Sequence, residues 1–252
     1  MHRAHYSSLS TYRSRYTSDI SRHDVDTKKK ALIAIVLVAF APTSSIIFTL
    51  GLNDDELLSQ MFFIFCKIWL FLVPTYWFLV IDGNSISWSE PNRDGLLAAT
   101  ISGFCMSALI LAMWAMFSGT IDTDSMISEM ETTGLTDFRI YVAGMFYWIF
   151  INSMLEEYVF RWFITTKSIE LLGSEASGIA LSACTFTLHH TIALHMFGFL
   201  WWQTAMATFG LLSAATIWSW LYLRYKSIWV CWLSHAICDI AVFGIGYLVL
   251  FG

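Results

Sequence analysis

The run from Ile140 to Phe163, IYVAGMFYWIFINSMLEEYVFRWF, is long enough to cross a membrane as a helix, because about 20 apolar residues span a hydrocarbon core of ~30 Å. Its second half nevertheless carries three charged residues, Glu156, Glu157 and Arg161. At membrane depth such groups cost about 2.5–3.5 kcal/mol each, even on the lenient insertion scale. They therefore mark a place where the protein builds something polar inside the bilayer.

The rest of the chain has the composition of a polytopic membrane protein. Of its 252 residues, 57% are hydrophobic and 13% are charged, whereas soluble domains carry about 25% charged residues. We predict an all-α protein with about seven transmembrane helices and a polar intramembrane cavity. The predicted spans are Ala31–Leu50, Met61–Val80, Leu96–Phe117, Ile140–Phe163, Gly178–Phe197, Phe199–Leu223 and Ile228–Leu250.

The regions outside the spans indicate three parts and an orientation. Residues 1–30 are predicted to be a polar tail with a short helix around Lys28–Lys30. Residues 31–139 should form three transmembrane helices and an acidic outer loop, and residues 140–252 the remaining helices. The tail holds seven Lys and Arg, whereas loop 118–139 holds only Arg139. The positive-inside rule then makes the N-terminus cytoplasmic, and we expect a bacterial inner membrane, with the endoplasmic reticulum as the alternative.

Helical geometry separates the two adjacent glutamates. Glu157 and Arg161 are four residues apart with the acid first, which places them on one helix face in the favourable order for an ion pair. Glu156 lies about 100° around a regular helix from Glu157 and about 140° from Arg161. We therefore predict a structural pair between Glu157 and Arg161, and we interpret Glu156 as the working carboxylate.

Two later spans carry further polar residues at helical spacing. FTLHH places Phe186 and His190 four residues apart, and HAICD does the same for His235 and Asp239. Each pair shares a helix face. A rise of about 1.5 Å per residue puts both histidines and Asp239 at depths close to that of Glu156, in the cytoplasmic half to the middle of the membrane. These residues can therefore converge.

The other ionisable residues inside the spans have simpler interpretations. His189 and His195 lie off the face of His190 and are predicted to be structural or interfacial. Lys67 is predicted to snorkel towards the interface or to pair locally.

The three polar motifs, in their order along the chain, resemble those of a known family. EEYVFR matches EExxxR, FTLHH matches FxxxH, and HAICD matches HxxxN/D. Together they resemble the CAAX-protease and bacteriocin-processing membrane proteins, which include the type II CAAX prenyl endopeptidases. The resemblance covers roughly residues 140–250.

The resemblance implies an intramembrane, glutamic-type endopeptidase that cleaves a membrane-associated protein or peptide near its C-terminus or membrane segment, without a covalent intermediate. Glu156 would activate water with His190, and His235 and Asp239 would stabilise the oxyanion. Asp239 stands where prenyl endopeptidases usually have Asn, so we expect its carboxyl group to be neutral or to orient His235. The supporting residues would be Glu157, Arg161 and Phe186.

Several alternatives stay open at this point. The four proposed catalytic residues offer N and O ligands that zinc accepts, but no HExxH motif is present, so we expect no metal or other cofactor. A proton-coupled transporter could use the same groups as a relay, although no inverted repeat is visible. A non-catalytic peptide-binding or immunity protein is the third alternative. No basic aromatic patch indicates nucleic acid as a partner.

Overall fold

The structure is a computed structural model that describes residues 4–52, 55–85 and 89–252, and within these residues it contains helices and no strands. The predicted all-α membrane class is confirmed. The helices are α1 (Ala4–Ile47), α2 (Glu56–Tyr76), α3 (Arg93–Phe117), α4 (Thr123–Thr132), α5 (Phe138–Leu172), α6 (Glu175–Met196), α7 (Trp201–Tyr225) and α8 (Ile228–Phe251).

Six of the described helices are long and apolar enough to cross a membrane. They are α1, α2, α3, α5, α7 and α8, with spans Asp24–Leu52, Glu56–Ile81, Arg93–Thr120, Phe138–Leu172, Trp201–Tyr225 and Ile228–Phe251. The seventh predicted span, Gly178–Phe197, coincides with α6, a helix of 22 residues packed against α1, α5 and α7. Helix α6 falls short in hydropathy because it carries three histidines and several hydroxyl side chains.

The N-terminal tail differs from its prediction. Helix α1 begins at Ala4 and continues into the first span, so the region around Lys28–Lys30 is not a separate short helix. Lys28 and Lys30 pair with Asp24 and Asp26, both at 2.8 Å. An acid four residues before a lysine stabilises helix at an exposed surface, which explains why the helix continues through this polar stretch.

The local sequence determines where α5 begins and ends and where α6 begins. Asp137 accepts hydrogen bonds from the amides of Arg139 and Ile140 at the start of α5, and Ser174 caps α6 through the amide of Ser177. Gly173 ends α5 with a φ of +79°, a left-handed conformation that glycine adopts without steric cost. The turn between the two caps is short, so α6 folds back against the end of α5.

Helix α5 lies at the centre of the packing. It contacts α1, α2, α6, α7 and α8, and its residues Val159, Phe160, Phe163 and Ile164 are buried. On the outside the pattern is reversed, and large apolar side chains such as Phe40, Phe104 and Met116 are mostly exposed. Continuous apolar surface of this kind needs a covering phase, which a bilayer supplies.

Helix α5 is not a regular α-helix. Residues Tyr147–Asn152 and Glu157–Ile164 have π-helical hydrogen bonding on either side of the α-helical turn Ser153–Glu156. The hydroxyl of Ser153 donates to the carbonyl of Trp148 at 2.9 Å, and that of Thr165 to the carbonyl of Phe160 at 2.8 Å. Each bond spans five residues, as π-helical bonds do. Such widened turns occur often at functional sites.

Candidate active site

Glu157 and Arg161 form an ion pair in the interior of the helix bundle. The Nε atom of Arg161 donates to Oε2 of Glu157 at 3.2 Å, and both side chains have an exposed fraction of 0%. Nη1 of Arg161 also donates to the hydroxyl of Ser219 on α7 at 3.5 Å. The pair therefore links two successive turns of α5, and through Ser219 it also links α5 to α7.

Two aromatic rings complete the surroundings of the guanidinium group. The Cζ atom of Arg161 lies 4.5 Å from the ring centre of Phe186 and 5.4 Å from that of Trp218. A cation facing a ring in a desolvated site gains about 2 kcal/mol or more. Phe186 thus supports Arg161 directly. Trp218 was not identified from the sequence, because no spacing rule links α7 to α5.

His235 is oriented by Glu157. Its Nδ1 atom lies 2.8 Å from Oε1 of Glu157, and since an ionised carboxylate can only accept, Nδ1 carries the proton of this bond. The ring also stacks on Trp218, with centres 4.1 Å apart and an angle of 18° between the planes. The position of the ring and the hydrogen bond of its Nδ1 are therefore set by α5 and α7 together.

The other nitrogen of His235 faces the working side of the site. Nε2 lies 3.8 Å from Oε2 of Glu156 and 3.5 Å from Oδ1 of Asp239. One imidazole thus meets both glutamates, although regular helical geometry directs them about 100° apart. The reason is that His235, on α8, approaches each glutamate with a different ring nitrogen. The two glutamates also stand where α5 changes from α-helical to π-helical geometry, with Glu156 ending the α-helical turn and Glu157 beginning the π-helical one.

Asp239 lies beside His235 but does not orient it by a short hydrogen bond. The 3.5 Å separation from Nε2 is longer than an ordinary N–H···O bond. The orienting role considered for Asp239 is filled by Glu157. Asp239 is 20% exposed at its side chain, more than either glutamate.

His190 is held by its own helix and its ring faces the same cluster. Its Nδ1 lies 3.0 Å from the carbonyl oxygen of Phe186, and because a carbonyl only accepts, Nδ1 carries the hydrogen. The two rings are 4.5 Å apart. Nε2 of His190 is thereby left with a free lone pair that can accept a proton.

His189 also belongs to this cluster, a position that the sequence analysis did not predict, although a structural role for it stays open. It is buried, its ring stacks on Phe160 at 5.6 Å, and its centre is 4.0 Å from that of His190. One ligand atom each from Glu156, His189 and His190 lies within 4.8 Å of the others. The side chains of His189 and His190 leave α6 in different directions, as those of adjacent helical residues do. Helix α6 nevertheless lies close enough to α5 for both rings to reach Glu156. His195, by contrast, is exposed, as an interfacial residue would be.

Lys67 reaches the site from α2, so its predicted snorkelling or local pairing is wrong. Its ammonium group donates to Oδ1 of Asn152 on α5. Nδ2 of Asn152 donates in turn to Oε1 of Glu156 at 2.7 Å. Asn152 stands one turn before Glu156 in the printed sequence, and a buried amide inside an apolar span was a signal available from the start.

One of the comparisons with known proteins found a match. Residues 138–241 match a family described as type II CAAX prenyl endopeptidase, Rce1-like. The matched segment contains all three motifs, from EEYVFR to HAICD, and the resemblance noted in the sequence is confirmed. No curated protein and no solved structure matches the chain.

Proposed function

Residues 138–241 belong to the Rce1-like family of CAAX-type intramembrane proteases, and on that premise we propose that Glu156 activates the water that hydrolyses the substrate. The observation that carries this assignment is the division of work between the two glutamates. Both carboxylate oxygens of Glu157 are engaged, one by Arg161 and one by His235. Among the residues that the structure describes, Glu156 is hydrogen-bonded through Oε1 alone, by Asn152, and Oε2 faces His235 across 3.8 Å.

Glu156 acts as the general base in this proposal. Oε2 takes one proton from a water molecule, and the oxygen of that water bonds to the carbonyl carbon of the scissile peptide. The lone pair on Nε2 of His190 offers a second place for the proton during transfer to the leaving amine. When the tetrahedral intermediate collapses, the C–N bond breaks, and the products are a carboxylic acid and an amine.

His235 supplies the electrophilic side of the site. Because Nδ1–H is bonded to Glu157, His235 can also donate from Nε2 to the forming oxyanion only as an imidazolium ion, and this is the form we propose. A donor held in place before the reaction stabilises that charge without reorganisation, and the low dielectric strengthens the interaction. Asp239 assists His235 as a neutral carboxyl group, since an ionised one would repel the oxyanion.

The Asp239→Asn variant tests this role of Asp239. We expect cleavage to remain within a few-fold of wild type, because an amide has the same shape and donates hydrogen bonds to an oxyanion. Asp239→Leu should lose activity, since the leucine side chain is similar in size to that of aspartate but has no polar atoms. Initial rates of both purified variants, at equal amounts of folded protein, check the prediction. An inactive, folded Asn variant would show that the reaction uses the ionised carboxylate.

The substrate class follows from the position of the cluster within the bilayer. We infer that the substrate is a membrane-associated protein or peptide, cut near its C-terminus or its membrane segment. The match to a family of prenyl endopeptidases favours a prenylated C-terminus. We also propose that the N-terminus is cytoplasmic and that the protein resides in a bacterial inner membrane, which reporter fusions at either end would test.

The experiment that tests the function compares peptide termini in cells that carry either the wild type or Glu156→Gln. Mass spectrometry of membrane and secreted fractions would reveal new termini. Termini seen only with the wild type would support proteolysis and identify the substrate. Identical termini, with both proteins folded and equally abundant, would favour the peptide-binding or transport alternatives.

A metal-dependent hydrolysis is the second candidate, and one observation favours it. Atoms of Glu156, His189 and His190 lie within 4.8 Å of one another, and zinc accepts such N and O ligands at about 2.0–2.2 Å. Two of these residues, however, have hydrogen-bond partners within the protein, since Asn152 donates to Oε1 of Glu156 and Nδ1 of His190 bonds to the carbonyl oxygen of Phe186. We therefore propose a reaction carried by the side chains alone.

Chelation distinguishes the two candidates. We expect EDTA and 1,10-phenanthroline to leave the cleavage rate of the purified protein unchanged, because no step of the proposal uses an ion. Metal content measured on the same sample provides a readout that does not depend on activity. Loss of cleavage with the chelator and its recovery with added zinc would overturn the metal-free proposal.

A further inference from the structure

We propose that Lys67 and Asn152 are positioning residues that hold the Glu156 carboxylate in its working orientation, an inference that rests on the proposed function. Neither residue belongs to the three motifs, and Lys67 lies on α2, outside the matched segment 138–241. The N-terminal helices would then contribute to the chemistry and not only to packing.

The contacts run in one direction, from α2 to the base. The ammonium group of Lys67 donates to Oδ1 of Asn152, whose side chain is 8% exposed. Nδ2 of Asn152 then donates to Oε1 of Glu156 at 2.7 Å. Lys67 is further placed by the ring of Phe63, whose centre lies 5.0 Å from Nζ.

The chemistry of the three groups permits only this orientation of the amide. An ammonium group has donors and no acceptor, and an ionised carboxylate has acceptors and no donor. Asn152 must therefore turn its oxygen towards Lys67 and its NH₂ group towards Glu156. With the amide reversed, donors would face the ammonium group and two acceptors would face each other. Lys67 thus fixes the direction of the amide, and the amide fixes one oxygen of Glu156.

The consequence for Glu156 is a carboxylate with two different oxygens. Oε1 is occupied by Asn152, so rotation about the last side-chain bond would break a hydrogen bond in a low-dielectric site. Oε2 is left facing Nε2 of His235.

A purely structural link between α2 and α5 is the competing explanation. The same two helices are joined by a second polar contact, the hydroxyls of Thr75 and Tyr158 at 2.7 Å. The contacts of Tyr158 in the structure, with Thr75, Phe71 and Trp162, include none of the four proposed catalytic residues. Tyr158→Phe therefore removes an interhelical hydrogen bond of similar kind and serves as the matched control.

Asn152→Asp separates the two explanations most sharply. The new side chain still accepts from Lys67, and the attraction between them becomes stronger, so the link between α2 and α5 is kept. It can no longer donate to Glu156, however, because an ionised carboxylate has no N–H. A structural role therefore predicts full activity, whereas a positioning role predicts loss.

The assay uses the full chain in lipid nanodiscs and a fluorescence-quenched peptide that ends in a farnesylated cysteine followed by three residues. We expect Lys67→Met and Asn152→Asp each to lower kcat by about tenfold or more, with KM within about twofold of wild type, because misplacing a catalytic group acts on the chemical step. Lys67→Arg should recover most of kcat, since it keeps the charge and the donors. Tyr158→Phe should match the wild type.

Three outcomes would overturn the inference. In the first, folded Lys67→Met and Asn152→Asp keep kcat within about twofold of wild type. In the second, their loss appears in KM alone, which would make Lys67 a substrate-binding residue. In the third, Tyr158→Phe loses as much activity. Melting temperatures identify variants that fail to fold. If Lys67→Met does not fold, the positioning and structural roles are distinguished by Lys67→Arg and Asn152→Asp, which keep the contact between α2 and α5. A wild type that does not cut in a Glu156-dependent manner would refute the proposed function itself.

Discussion

Glu156→Gln will fold and reach the membrane like the wild type but will lose about 10²–10⁴-fold in kcat, the usual contribution of a general base. Glutamine has the same size, and its oxygen can accept the hydrogen bond that Asn152 donates to Oε1 at 2.7 Å. The surroundings of Glu156 therefore change little. What disappears is a group that can take a proton from water, so the loss should appear in kcat with little change in KM.

A matched control for Glu156→Gln exists on the same helix. Glu170 is also a glutamate of α5, but it is partly exposed and pairs with Lys167 at 2.8 Å, away from the cluster. Lys167 keeps a second partner, Asp82 at 2.7 Å, when that carboxylate is neutralised. Glu170→Gln should therefore leave the cleavage rate unchanged. If Glu156→Gln also kept its rate while folded, Glu156 would not be the base.

Arg161→Met will destabilise the folded protein by about 3–5 kcal/mol, the cost of removing one partner of a buried ion pair. Both side chains of the pair have an exposed fraction of 0%, so the carboxylate of Glu157 would stay buried without its guanidinium partner. Methionine has a similar length but cannot donate to Glu157 or to Ser219. We expect a lower yield of folded protein and a large fall in its melting temperature in detergent.

Two further variants locate the cause of this loss. Neutralising both partners in Glu157→Gln/Arg161→Met should recover part of the stability, because the buried carboxylate that has lost its guanidinium partner is then also removed. Arg224→Met is the control for removing an arginine, since Arg224 is exposed near the end of α7, and it should be close to wild type. A double variant no more stable than Arg161→Met would show that the loss comes from packing against Phe186 and Trp218.

Much of the fold could be predicted because its signals are local. The apolar runs have the length that a bilayer requires, and most of the observed helices lie within a few residues of their predictions, as with α8 at Ile228–Phe251. The exceptions are α1, which begins at Ala4, and α5, which continues to Leu172. The Glu157–Arg161 pair could be anticipated for the same reason, since four residues along a helix bring two side chains together. The continuous helix through residues 24–30 was missed, although its acid–lysine spacing is just as local.

Contacts between helices could not be predicted in the same way. Lys67 and Asn152 are 85 residues apart, and Trp218 meets His235 from another helix. Nothing in the spacing within either partner determines such a contact, because it depends on how whole helices pack and turn against each other. His189 shows the limit most directly, since a wheel drawn for α6 alone separates it from His190, whereas the packed helices place both rings beside Glu156.

The sequence by itself therefore determined the membrane class, the helices and the set of polar residues that the three motifs contain, because hydrophobic length and helical spacing are properties of short segments. Only the tertiary structure decided which atoms meet. It directs Nδ1 of His235 to Glu157 and Nε2 towards Glu156, and it brings Lys67 to the amide that holds Glu156. The physical reason is that a hydrogen bond depends on distances of a few tenths of an ångström between separate helices, and helix packing, together with the π turns of α5, sets those distances.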